Sequence, residues 1–187
     1  MEIDKTIERK ITLSGLSDIM FDRYPGDNKT KLTPEKKFYY MPDGETLAMP
    51  AMNIVSFLTA QNTDSAPKRL LDKREYKSVA SGILSFTAIT PFEIPFLVKG
   101  KPIKFDEFDG KRFYVHNSVA RLAKGVPNPK SRPVIRLPWE LAFSISIFPN
   151  KEFTEDMLHD MFVRGGMAIG LGTFRGVFGK FKVSEWA

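Results

Sequence analysis

Cysteine is absent from this chain of 187 residues. Disulfides, thiolate nucleophiles and cysteine-held zinc are excluded together. Histidine is nearly absent: His116 and His159 stand far apart. They are a poor basis for a metal centre or a histidine triad, and no metal or cofactor is expected. No apolar run approaches the roughly 20 residues of a membrane-spanning helix. The opening residues, MEIDKTIERK, are charged throughout and lack the apolar segment of a secretory signal. The expectation is a soluble, cytoplasmic protein with no membrane partner.

What is present is a core. Hydrophobic residues make up 42% and aromatic residues 12%, a composition for one packed domain over 1–187. Charge is unevenly placed. Residues 99–136 hold ten cations, among them Arg112, Arg121, Lys124, Lys130, Arg132 and Arg136, against three acids. That segment is +7 in a chain whose total is +6, leaving −1 for the rest. A localised basic excess suits a polyanion. A solvated surface is the plainer reading.

The stretch IERKITLSGL alternates as a half-buried strand, and a long loop follows to about Lys37. KFYYMPDGETLAMP reads as a hairpin. Pro50 then opens a helix over 51–61, with Met52, Val55, Leu58 and Thr59 at helical spacing and Ile54 beside them. TDSAPKRLLDKREY is a connection without a clear pattern. SVASGILSFTAIT and FEIPFLVK read as strands broken by Pro91, and RFYVHNSV as another. ARLAKGVPNPKSRP, with three prolines, predicts an exposed loop outside any ladder. In WELAFSISIF, Trp139, Leu141, Phe143, Ile145 and Ile147 share one face. FTEDMLHDMFVRGGMAI is a helix capped by Thr154 and weakened at Gly165-Gly166. GKFKVSEW closes the pattern as a strand. Without its insertions the order is βαββαβ: an α+β, ferredoxin-like (RRM-like) core, an antiparallel sheet with two helices on one face and the other face open. The basic segment at about 99–136 is an inserted β/loop excursion.

GLGTFRGVFGKFKV, residues 170–183, joins the last helix to the last strand. A phosphate-cradling P-loop needs the order strand, loop, helix, so that the anion meets a helix N-terminus. Here the helix offers its C-terminal, negative end, no Gly-Lys-Ser/Thr follows, and a nucleotide triphosphatase is not expected. Gly170, Gly172, Gly176 and Gly179 allow close backbone approach. Arg175, Lys180 and Lys182 would supply the attraction for an anion. A glycine-rich turn with its phenylalanines packed on the core is the alternative.

The spacing Gly170-Leu171-Gly172, a spacer holding Arg175, then Gly179-Lys180-Phe181 resembles the C-terminal glycine-rich loop of the RAMP superfamily, the repeat-associated RNA-binding proteins of CRISPR effector complexes. Lys180 and Phe181 stand where the family pattern has a hydrophobic residue and glycine. GETLAMPAMNIVSFLTA resembles the segment in which RAMP proteins run a short strand through a proline into the first helix. Ala51, Asn53 and Ser56 match its small and hydroxyl positions, and its basic residue is missing. The matching parts cover about a third of the chain. The ending is also similar to small phage-encoded proteins. The resemblance implies a ferredoxin core that grips the backbone of single-stranded RNA, an excursion that separates groups of bases, and subunits that stack into a homo-oligomer or filament with other effector subunits.

Three function classes follow. The first is non-catalytic, sequence-tolerant binding of single-stranded nucleic acid, RNA before DNA. Lys and Arg would neutralise phosphates, and Phe113, Tyr114 or Phe174 would stack on bases. The second is a phage inhibitor or assembly protein acting through protein partners. The third is a metal-dependent ribonuclease using Asp18, Asp22 or Asp27 after the first strand, as the resemblance allows for some backbone subunits. The repeat-processing nucleases of the family use a histidine near the first helix, and residues 51–62 contain none.

Overall fold

The structure is a computed structural model that describes residues 5–121 and 123–187. Its strands are β1 (Ile7–Gly15), β2 (Ile19–Met20), β3 (Ala48–Pro50), β4 (Thr87–Thr90), β5 (Glu93–Val98), β6 (Lys101–Pro102), β7 (Phe113–Arg121), β8 (Pro127–Ile135), β9 (Glu140–Ile147) and β10 (Phe181–Trp186). Its helices are α1 (Ala51–Thr59), α2 (Ala66–Leu70), α3 (Tyr76–Phe86) and α4 (Glu155–Ala168), with a 3₁₀ turn at Pro34–Lys37. The fold is mixed α+β with antiparallel sheets.

In the main sheet the order is β10-β1-β9-β5-β3, and β4 also pairs with β9. β1 lies along the length of β9, from Ile7 opposite Ile147 to Ser14 opposite Glu140. On the other edge of β9, β4 covers Ser144–Ile147 and β5 covers Glu140–Leu141. Alternation decides the two faces. Ile11, Leu13, Leu141, Phe143, Ile145 and Phe181 point inward and are buried. Lys10, Thr12, Ser14, Glu140, Ala142, Ser144, Ser146 and Lys182 take the opposite face.

The helices cover the apolar face. Phe162 of α4 lies 6.2 Å from Phe143 of the sheet and 5.8 Å from Phe57 of α1. Phe57 in turn meets Phe181 at 5.5 Å. Thr154 caps α4 by accepting from the Met157 N–H at 3.2 Å, as its position before two acids predicts. Gly165 and Gly166 are contact points rather than weak points. A Cβ on Gly165 would come within 2.8 Å of Phe57, and one on Gly166 within 2.6 Å of the Phe181 ring and carbonyl. The pair lets α2 and β10 approach α4 closely.

Five expectations are corrected. Residues 76–86 form α3, not a strand. Val79, Ala80 and Ile83 fall at helical spacing and are buried, and only 87–90 is extended. On α1 the buried residues are Ala51, Ile54, Phe57 and Leu58, while Met52 is 55% exposed. The loop after β1 contains β2, whose Ile19 and Met20 are fully buried.

Residues 127–135 are not a loop outside the ladder but β8, paired along its whole length with β7, from Phe113 opposite Ile135 to Arg121 opposite Pro127. The three prolines stand at alternate positions of one parity, 127, 129 and 133. Arg136 donates to the Arg112 carbonyl across the ribbon, whereas the Pro133 carbonyl faces away and accepts from Phe21. Even-numbered residues therefore exchange the ladder bonds and odd-numbered ones point outward. The missing proline N–H groups all fall on the outer edge, where no β7 acceptor waits. Within the basic segment, residues 113–135 are thus a twisted arm of about 30 Å, rooted through β2, whereas residues 99–112 are no part of an excursion: β6 pairs with β5 and Ile103 is buried in the core.

Candidate nucleic-acid interface

The glycine loop is tightly folded on itself. Gly170, Gly172, Gly176 and Gly179 all have positive φ, between 74° and 89°. A Cβ on Gly172 would meet the Met20 carbonyl at 2.6 Å, so glycine is required for space as well as conformation. The N–H groups of Gly170, Leu171, Thr173, Gly176, Phe178, Gly179 and Lys180 are spent on the fold. Those of Thr173, Gly179 and Lys180 go to Met20, Asp18 and Ser17, which seats the loop on the chain after β1.

Arg175 is spent in the same way. Its guanidinium donates to the carbonyls of Asp64 at 3.0 Å and Gly172 at 3.4 Å, and to Ser56 Oγ at 3.2 Å. It ties the loop to α1. Lys182 lies on the open face of the sheet, opposite Ser14, and Lys180 is half-buried beside β1.

What the loop presents outward is aromatic. Phe174 is 60% exposed and held at φ 57°, a conformation uncommon for any residue with a side chain. Its ring is 6.2 Å from Phe178, and Phe178 is 5.5 Å from His116 on the arm. The glycine loop and the arm, more than fifty residues apart in sequence, meet through these rings.

The register of the arm sorts its cations. Arg112, Tyr114, His116, Lys130, Arg132 and Arg136 have the even parity that shares one face, the face touched by Phe178. Arg121 falls on the opposite face. It lies seven residues beyond Tyr114, about 24 Å away, with Lys124 further along the tip. Arg136 stacks over Tyr114 at 4.5 Å from its centroid and donates to the Gly110 carbonyl, and Arg112 donates to the Pro138 carbonyl at 2.7 Å. Neither of these bonds neutralises charge. Arg132 differs: its Nε meets Asp22 at 2.8 Å, and Lys37 reaches the same carboxylate at 3.2 Å. Burial pushes the Asp22 carboxyl up, but its bonds and charges to Arg132 and Lys37 outweigh that and hold it below its ordinary value. This triad anchors the arm.

Of the predicted stacking aromatics, Phe113 is buried among Phe38 and Phe105 and cannot stack on a base. Tyr114 is half-buried, its hydroxyl 3.4 Å from Asp18. Phe174 is open. The outward positions of β1, β9 and β10 are serine, threonine, alanine and charged residues, without an aromatic platform.

Each of the three aspartates has partners within the fold. Asp18 accepts from the Leu137 N–H and Tyr114, Asp22 is paired with Arg132 and Lys37, and Asp27 closes its own turn by accepting from Lys29, Thr30 N–H and the Thr30 hydroxyl. Among the described residues no three His, Cys, Asp or Glu side chains gather as a metal site. Carboxylates engaged this way are poorly placed to hold a catalytic cation.

Two features escape sequence reasoning. His116 and Phe178 join arm to loop through a tertiary contact that no local pattern encodes. A cleft of about 760 Å³ between the 22–32 loop and the outer edge of β8 brings Arg23, Lys31 and Lys37 beside Lys130. These cations lie outside the basic segment, and only their loop composition hints at exposure. No protein-family model and no curated protein matches the chain.

Proposed function

We propose that this protein binds single-stranded nucleic acid, RNA before DNA, without cleaving it, as a subunit of a CRISPR-type or phage nucleoprotein assembly. The contact that carries the reading is Phe174–Phe178–His116, which makes the glycine loop and the cationic face of the arm one continuous surface. Phosphates would run along Lys130, Arg136 and Arg112, and a base would stack on Phe174; Arg132 is committed to Asp22 and holds the arm in place. The glycine loop acts through its shape and its aromatic, since most of its N–H groups and the Arg175 guanidinium are engaged in the fold.

The strand order supports a ferredoxin-like core for this reading. With β4 and β5 taken as one bent strand, the sequence β10-β1-β9-β4/β5 is fourth, first, third, second, all antiparallel. That is the order of a βαββαβ core, here with α2 and α3 added between the first helix and the second strand. The resemblance to RAMP proteins is consistent with it, and in that reading the arm would serve as the inserted excursion that separates groups of bases.

The test is Phe174→Ala against labelled single-stranded RNA. Removing one stacked base contact should weaken binding by about 1–3 kcal/mol, roughly 5- to 150-fold in Kd. Unchanged affinity in a folded variant would remove Phe174 from the interface.

A further inference from the structure

The two edges of the arm are built differently. On β8 the outward positions 127, 129 and 133 are proline and offer no N–H. The Ser131 carbonyl accepts from Lys37 at 2.7 Å, and the Pro133 carbonyl from Phe21. That edge is blunted, as edge strands in natural sheets usually are. The β7 edge is not. Its outward positions Asn117, Val119 and Arg121 are exposed, carry no proline, and point both N–H and C=O away from β8. Val119 at its centre is 61% exposed.

We propose that the β7 edge is a self-association surface that pairs antiparallel with β7 of a second copy, about a two-fold axis at Val119. The chemistry of the strand is self-complementary in this register. Val119 meets its own counterpart. Asn117 of each copy lies opposite Arg121 of the other, where a carboxamide oxygen can accept from the guanidinium. Asn117 Oδ1 already accepts from Ser131 at 2.7 Å and keeps a second lone pair. Arg121 is the one cation of β7, and this register holds the two copies of it apart. Parity agrees as well, because all three pairs join odd positions, whose N–H and C=O groups face outward.

A two-fold axis perpendicular to the ribbon keeps both even-numbered faces on one side. Lys130 and Arg132 of each copy would then lie on a single six-stranded surface. The assembly is closed, unlike the open head-to-tail stacking that the family resemblance implies. An interface made of arm edges alone is at the low end of interface sizes, below about 1,200 Å², so the dimer is a concentration-dependent one. The inference rests on the strand edge and stands independently of the nucleic-acid reading.

Val119→Pro tests it. Val119 faces Pro129 in a pair that exchanges no ladder bonds, so its N–H is dispensable to the arm and required only by the dimer. In sedimentation experiments without nucleic acid, the unaltered protein should dimerise with concentration. The variant should keep its circular dichroism and Tm while its dimer weakens roughly 30-fold, one hydrogen bond per copy. Because the chain has no cysteine, Val119→Cys gives a second measurement. It should form a disulfide dimer on oxidation, whereas Val126→Cys, 53% exposed but out of register, should not. A monomer at every concentration, an unweakened Val119→Pro dimer, or equal cross-linking at both cysteines would overturn the proposal.

Discussion

Asp22 shows how a single side chain can set the position of a distant element. Its carboxylate receives Arg132 from the arm and Lys37 from the 3₁₀ turn, with side-chain exposures of 14%, 12% and 19% across the three residues. Few water molecules screen the triad, so it is worth more than an exposed pair. Asp22→Asn should cost about 1.5–3 kcal/mol at neutral pH, the range for hydrogen bonds to charged groups. The pH dependence has a definite sign. The folded carboxyl is held below its ordinary value of 3.8, so the stabilisation is complete above that value and is lost as pH falls through the folded one. In melts from neutral pH down to about pH 2, the Tm gap between wild type and Asp22→Asn should close at the acid end. A constant gap would contradict this role. In sequence, Asp22 reads as an ordinary loop aspartate, or as a metal ligand at most. Its partners are 15 and 110 residues away, and nothing local points to them.

Among elements, α4 and the arm were legible to different degrees. The α4 helix is spelled out locally: a threonine cap, acids in the first turn, and apolar residues at helical spacing. What its sequence concealed was the use of Gly165-Gly166, because a glycine placed for close packing looks like one that weakens a helix. Gly166→Ala decides between the two. Helix propensity alone favours alanine by about 1 kcal/mol. The Phe181 carbonyl 2.6 Å from the new Cβ is backbone and cannot turn aside, so overpacking of about 1–3 kcal/mol should dominate. The expected outcome is a lower Tm, by about 2–4 °C per kcal/mol in a chain of this size. A raised Tm would show the packing to be loose. The β8 strand was hidden for the opposite reason. Proline normally argues against a ladder, and only the parity of 127, 129 and 133, read against a partner strand, reconciles the two. The α3 helix is hard to see in the sequence because serine, alanine and glycine between its apolar residues blur the helical period.

For the molecule as a whole, the alternation of β1 and β9 and the final helix and strand were enough to suggest the main sheet, and the structure bears out an α+β fold with antiparallel strands. The charge asymmetry also has a structural counterpart. Much of the +7 segment lies on or next to the β7–β8 ribbon, where Arg112, Lys130, Arg132 and Arg136 share one face, Arg132 being paired there with Asp22, and the glycine loop touches that face through Phe178. The central claim is that this face binds a single-stranded polyanion. The most direct measurement is a titration of labelled single-stranded RNA across about 50–200 mM salt, with single-stranded DNA and duplex in parallel. Three arm cations on phosphates, Arg112, Lys130 and Arg136, predict a log–log slope of about −2 for a single strand, with RNA bound more tightly than DNA or duplex. No binding at about 50 mM salt, or an affinity indifferent to salt, would contradict the account.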